Sequence, residues 1–346
     1  MKFLLAQINP VVGDLEGNAK KILNIASKAS SISADFVLTP ELSLWGYPAN
    51  DLLFKKNLIN NQYQILDQLA LDINKKYGNL SISIGIAEII NDSFFPNLYN
   101  SIALVEGGEW KIIARKIILP TYEVFDEKRY FRSEEKVSVL IKQIKNKTWR
   151  LGFTICEDLW VNKNIEGRGI HKKNPIFDLK KKKVDILVNL SASPYTFKKL
   201  ELRSKVSSFA AQYLQVPLIY VNQIGANDNL IFDGNSFILD KNGSKIKQLK
   251  SFSEDLSSWE IEQTKPEKNE FKNSEMSSIF DALVLGVKDY AKKCGFKTAL
   301  VGLSGGIDSA LVSAIATAAL GSDNVYCVSM PSKWSSSHSK SDAKDL

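Results

Sequence analysis

Apolar runs of strand length alternate with helix-spaced apolar patterns through the first 250 residues, and this alternation restricts the fold more than any other property of the chain. Lys2 to Ile8 reads as a strand. Asn18 to Ala34, with Ile22, Ile25, Ala26 and Ala29 at helical spacing, reads as a helix, and Phe36 to Thr39 returns as a buried strand. A second helical pattern from about Asn57 to Tyr77 precedes a strand from Leu80 to Glu88. Val184 to Leu190, a helix from about Leu200 to Leu214, and Pro217 to Asn222 repeat the order. Two junctions differ: Glu106-Gly107-Gly108-Glu109 and Asp240-Lys241-Asn242-Gly243 have the composition of hairpin turns. Strands joined both through helices and through hairpins imply mixed sheets, and a layered α/β sandwich is the natural packing.

From about Gln248 to Ser277 hydrophobicity falls and Ser, Glu, Lys and Asn dominate, which reads as a linker. The composition then switches back: a helix from Ile279 to Cys294, a strand from Thr298 to Leu303, a helix from Ile307 to Leu320 and a strand from Val325 to Met330. The expected division is a first domain over 1–250, a linker over 251–277 and a second α/β unit over 278–346. Two strands and two helices read as the opening part of a larger doubly wound domain, and the chain shows no internal repeat.

With 346 residues and 44% hydrophobic content the chain can bury a large core. Its net charge of +7 is spread out, and the densest basic run, Lys180 to Lys183, is short. No stripe interleaves basic with aromatic residues, so the lysines read as a solvated face and no nucleic-acid partner is expected. Cys156, Cys294 and Cys327 have neither the count nor the spacing of a disulfide framework or zinc site, which favours a reducing compartment. No apolar stretch approaches the ~18 residues of a membrane span, and the expected location is cytoplasmic.

Three strand ends carry reactive side chains. The run Gly152-Phe153-Thr154-Ile155 stops at Cys156, followed by Glu157 and Asp158. Asp35 to Thr39 closes on Pro40-Glu41, and Ile112 to Pro120 embeds Lys116 in apolar surroundings. A histidine base is an unpromising partner for the thiol, because the two histidines, His171 and His338, lie in polar stretches that read as loop. A Glu, a Lys and a Cys, each exposed where a buried strand ends, make a candidate active site. A separate feature, Ser304-Gly305-Gly306-Ile307-Asp308-Ser309, joins a buried strand to a helix. Its glycines let backbone approach an anion, and the amides and hydroxyls at the helix start supply donors to phosphate oxygens. It lacks the lysine of the common Gly-x-x-x-x-Gly-Lys-Ser/Thr loop.

Pro40-Glu41-Leu42, Arg115-Lys116 with Leu119 to Phe131, and Ile155 to Trp160 resemble the Glu-Lys-Cys motifs of the nitrilase superfamily, and more narrowly the glutaminase domain of bacterial glutamine-dependent NAD synthetases. Ser304 to Ser309 resembles the pyrophosphate loop of ATP pyrophosphatases, and Met330-Pro331-Ser332 fits the synthetase domain of the same enzymes. The resemblance implies a nitrilase-like αββα sandwich with mixed sheets, followed by the start of a doubly wound, Rossmann-like adenine nucleotide hydrolase domain that continues in the family well beyond residue 346. It implies Cys156 as nucleophile, Glu41 as general base and Lys116 as oxyanion donor, with Tyr122, Ser193 and Lys199 near the amino-acid end of glutamine. A second glutamate often stands beside this trio. Glu123 is the candidate, with Glu127 and Glu157 as rivals. Gly302, Leu303, Ser304, Gly305, Gly306, Ile307, Asp308 and Ser309 would bind ATP with magnesium. Glutamine, deamido-NAD and ATP are the implied partners, and the complete enzymes tend to be homo-oligomers. On this reading the present chain retains only the glutaminase half; a stand-alone amidase acting on another small amide is the alternative.

Overall fold

The computed structural model describes residues 1–346 except 93, 145, 162–172, 264–265 and 267–274. They form two compact units: 1–224 with 232–271, and 225–231 with 272–346.

The first unit opens with β1 (Lys2–Gln7), α1 (Leu15–Ser31), β2 (Phe36–Leu38), α2 (Lys56–Tyr77), β3 (Ser81–Ile89), β4 (Leu98–Glu106) and β5 (Glu109–Arg115). It continues with β6 (Ser138–Ile144), β7 (Lys147–Ile155), α3 (Pro175–Lys182), β8 (Ile186–Ser191), α4 (Lys199–Leu214) and β9 (Leu218–Asn222). A hairpin of β10 (Ile224–Asn227) and β11 (Leu230–Asp233), whose residues 225–231 group with the second unit, follows in the chain, then β12 (Phe237–Leu239), β13 (Lys245–Gln248) and β14 (Asp255–Glu260) of the first unit. Two six-stranded sheets result, in the orders β14-β1-β2-β3-β4-β5 and β13-β12-β9-β8-β7-β6. Each has a parallel centre and antiparallel edges, because β1, β2 and β3 and likewise β7, β8 and β9 run parallel whereas the hairpin-linked strands do not.

The sheets face each other across one apolar core. Phe3, Leu5, Phe36 and Leu38 from the first sheet and Leu151, Phe153, Val188 and Val221 from the second belong to it, and the Phe36 and Phe153 rings lie 6.3 Å apart. On the outer face of the second sheet, Ile176 and Leu179 of α3 and Val206, Ala210 and Leu214 of α4 pack on Leu187, Leu218 and Phe237. The central strands are thus covered on both sides, which is why they read as continuous apolar runs instead of alternating ones.

The expected linker over 251–277 needs correcting. Residues 255–260 form β14, which pairs with β1 from Lys2↔Glu260 to Gln7↔Asp255, so the first sheet extends past residue 250. Only Trp259 of that strand is buried, stacked 6.0 Å from Phe3; an edge strand needs little apolar surface, and its polar sequence disguised it.

In the second unit α5 (Glu275–Cys294) precedes β15 (Ala299–Gly302), α6 (Ile307–Leu320) and β16 (Val325–Val328), with α7 (Ser337–Asp345) at the end. β15 and β16 pair in parallel, making one βαβ unit. His338 stands in α7 and not in a loop, whereas His171 falls outside the described residues. Among the described residues no helix is long and apolar enough to cross a membrane.

Candidate active site

Glu41, Lys116 and Cys156 follow the C-terminal ends of β2, β5 and β7, and all three are buried. Burial of an ammonium group demands compensation, and Lys116 receives it twice: Nζ donates to Glu41 Oε1 at 2.6 Å and to Glu127 Oε1 at 2.7 Å. Asn100 Nδ2 also donates to Glu41 Oε1, at 2.7 Å, and the Ala192 amide donates to Glu41 Oε2 at 2.9 Å. The backbone that presents Lys116 is fixed by its own amide on Asn100 O at 2.8 Å.

Cys156 begins a 3-10 turn, Cys156–Leu159, directly after β7. Its φ of 45° is in the left-handed region, which costs a non-glycine residue about 1 to 3 kcal/mol and tends to occur where function requires it. Asp158 holds the turn in place. Its Oδ2 accepts from the Ile155 amide at 3.0 Å, while Oδ1 accepts from the Ile117 and Ile118 amides at 3.0 and 2.8 Å, so one carboxylate joins the cysteine turn to the lysine segment.

The Glu41 loop leans on Gly85 of β3. A Cβ there would stand 2.1 Å from Leu42 N and 2.7 Å from Pro40 O, so the loop backbone occupies the space a side chain would need. A Gly85→Ala variant should therefore lose about 1 to 3 kcal/mol of stability, seen as a lowered midpoint of thermal or urea unfolding. An unchanged midpoint would contradict this contact.

The electrostatics follow from burial. It pushes the Cys156 thiol well up, reinforced by the Glu41 carboxylate and opposed by Lys116. Burial acts to lower Lys116, but the Glu127 and Glu41 carboxylates outweigh it and hold the ammonium well above the usual lysine range. Burial raises Glu127 to about 7 against the pull of Lys116, and raises Asp158 to about 7 against its three backbone amides. The resting site thus holds a neutral thiol beside a firmly charged ammonium.

The second glutamate is a correction. Glu123, the residue singled out from the sequence, is exposed with φ 53°, whereas Glu127 is buried, accepts from Lys116, and also accepts from Tyr47 Oη at 2.9 Å. Its Oε2 has no hydrogen-bond partner among the described residues. Glu157, the other rival, accepts from Tyr122 Oη at 2.8 Å instead. Ser193 is buried just beyond β8, and Lys199 starts α4 with its ammonium 5.1 Å from the Trp160 ring centre. Asn100, Asp158, Tyr47 and Arg203 were not singled out from the sequence. Asp158 was the most accessible to it, since it stands two positions from the thiol.

The Ser304–Ser309 loop leads from β15 into α6. Gly305 has φ 81°, and an added Cβ would meet Ser339 O at 2.1 Å, so glycine is required by both conformation and space. Ser304 N and Gly306 N point at the Ser309 and Ser304 hydroxyls, each at 3.2 Å, and Leu303 is buried with its amide on Val328 O. Exposed amides and hydroxyls at a helix start fit an anionic ligand. Asp308 is the one carboxylate of the loop, and no cluster of three or more His, Cys, Asp or Glu suited to a metal occurs among the described residues.

Comparison with known proteins matches two families along the chain. The carbon-nitrogen hydrolase family model matches residues 5–265 and the NAD synthase model matches 279–346. A glutamine-dependent NAD(+) synthetase of Synechocystis sp. is 43% identical over 350 residues, covering 99% of this chain and 62% of the relative. One from Acinetobacter baylyi is 35% identical over 348 residues, covering 99% and 60%. The chain therefore spans about three-fifths of the length of these relatives. Among solved structures, the glutamine-dependent NAD+ synthetase of Acinetobacter baumannii in complex with ADP superposes with TM-score 0.86 at 34% identity, over 99% of this chain and 62% of that one. An amidase from Nesterenkonia sp. AN1 shares the fold at TM-score 0.60 and 19% identity, over 75% of this chain and 92% of its own.

Proposed function

Because the chain belongs to the carbon-nitrogen hydrolase family, we propose that its first unit hydrolyses the side-chain amide of glutamine to glutamate and ammonia. The observation that carries this reading is the buried Lys116 ammonium held between two carboxylates, with the buried Cys156 thiol in the same field.

Cys156 attacks the amide carbon. Because burial keeps the thiol protonated at rest, its proton must leave as the sulfur–carbon bond forms, and Glu41 is the acceptor. Both lone pairs of Glu41 Oε1 are taken by Lys116 and Asn100, whereas Oε2 receives only the Ala192 amide, so Oε2 is the oxygen that takes the proton. Two of the three Lys116 donors are used, leaving the third for the developing oxyanion, a contribution of about 3 kcal/mol to the transition state. Glu41 passes its proton to the departing ammonia, leaving a thioester on Cys156. It then takes a proton from water as that water attacks the thioester and passes it to the departing sulfur, which releases glutamate and returns the thiol and the Glu41 carboxylate. Ser193 and Lys199 supply donors for the amino-acid carboxylate, Tyr122, whose hydroxyl hydrogen goes to Glu157, lines the same end, and the unpartnered Glu127 Oε2 is an acceptor for substrate N–H.

In the complete enzyme the second unit would use ATP to adenylate the carboxylate of deamido-NAD, and ammonia would displace AMP. The loop over 302–309 suits ATP phosphates through its backbone amides and the Ser304 and Ser309 hydroxyls. Magnesium, which screens phosphate charge when bound, would meet one protein carboxylate, Asp308, and otherwise the oxygens of ATP.

The test is direct. The purified chain given glutamine should release glutamate and ammonia in equal amounts. Hydrolysis of simple aliphatic amides with none of glutamine would favour the stand-alone amidase reading instead.

A further inference from the structure

A second buried ion pair joins α4 to β11. Arg203 of α4 and Asp233 at the end of β11 have side chains 0% and 2% exposed, and Arg203 Nη1 donates to Asp233 Oδ1 and Oδ2 at 2.8 and 3.0 Å. The remaining guanidinium donors all go to one turn: Nη2 to Ser193 O at 2.7 Å and Pro194 O at 3.0 Å, and Nε to Ser193 Oγ at 3.1 Å. Asp233 is held in turn by Asn235 Nδ2 at 2.7 Å, and Asn235 Oδ1 accepts from Gln248 Nε2 at 2.8 Å. A buried ion pair is a poor device for stability alone, since apolar residues of similar volume pack as well. What such a residue cannot supply is three hydrogen bonds to a single turn.

We propose that Arg203, oriented by Asp233, is a positioning residue that sets Ser193 and Lys199 to receive the amino-acid end of the substrate; this rests on the glutamine reading above. Two observations point to it. A guanidinium only donates, so Ser193 Oγ is the acceptor of that contact and Arg203 leaves the Ser193 hydrogen unused, a donor that a substrate carboxylate could draw away from the neighbouring Tyr220 hydroxyl. Arg203 also follows Lys199 by four positions on α4, so the two share a face one turn apart. The first turn of that helix has no side-chain cap, and its N-cap residue Lys198 has φ 61°, so the Arg203 bonds hold the part of the helix that carries Lys199.

The test compares the intact chain with Arg203→Met/Asp233→Asn, which removes both buried charges together. Folding is followed by circular dichroism, and Cys156 reactivity by alkylation with iodoacetamide, which carries no amino-acid end. The expected result is a KM for glutamine raised at least tenfold, a kcat within threefold, and alkylation within twofold of the unaltered chain. Ser193→Ala should raise KM by itself, and adding it to the double variant should change KM by less than a further twofold, because Arg203 acts through Ser193. An unchanged KM in the folded double variant, or effects that multiply independently, would overturn the assignment; so would a parallel fall of kcat and alkylation, which marks general damage. Should the double variant not fold, Asp233→Asn alone must still raise KM, and an unchanged value there counts against the proposal. An unaltered chain that releases no glutamate defeats the glutamine reading and this inference together, whereas an active one with unchanged KM in the variants defeats only the inference.

Discussion

Replacing Cys156 with alanine is expected to reduce glutamate release from glutamine by roughly ten-thousand-fold or more, about 5.5 kcal/mol of transition-state stabilisation. Among the described residues, Cys156 is the one cysteine of the first unit. Stability should change little. The deleted sulfur is small, and the φ of 45° strains alanine about as it strains cysteine, so the unfolding midpoint should move by the equivalent of about 1 kcal/mol. Steady-state glutamate release and thermal unfolding of the two proteins together check this, and a rate within tenfold of the original would remove the covalent mechanism.

Glu41→Gln comes second, with an expected loss of about a hundred- to ten-thousand-fold in kcat. The substitution preserves shape but not hydrogen-bond sense. Lys116, Asn100 and the Ala192 amide all donate to the carboxylate, and the amide group of glutamine must turn its own N–H donors toward at least one of them. The proton acceptor is lost in the same change, while Glu127 still pairs with Lys116. The variant should therefore remain folded by circular dichroism and fail chiefly in chemistry. Retention of more than a tenth of the rate would mean that another group takes the thiol proton.

The legible parts of this chain were those whose burial is apolar. β1, β2, β3, β8 and β9 are covered on both faces and announce themselves as apolar runs, and both hairpin turns were marked by glycine and polar residues. β14 went unread because an edge strand with polar side chains lacks that signature, and β6, another edge strand, carries Val139, Leu140 and Ile141 but buries only Leu140. The trio was legible because each member interrupts an apolar run at its end. The surrounding charges were not, for a physical reason: Arg203 and Asp233 are buried only because they find each other across 30 positions, and a sequence displays charge without showing its partner. The choice between Glu123 and Glu127 likewise turned on the local structure, since Glu123 is left exposed while the following 3-10 turn, Glu127–Arg129, carries its first side chain inward.

The pairing of β14 with β1 bears on how the first unit can be produced separately. A recombinant piece stopped at residue 250 would strip β1 of its antiparallel neighbour and bare a row of amides and carbonyls from Lys2 to Gln7, with Phe3 no longer covered by Trp259. Such an unprotected margin recruits strands from other molecules, so that piece should precipitate or associate, whereas one carried through residue 263 keeps its border closed.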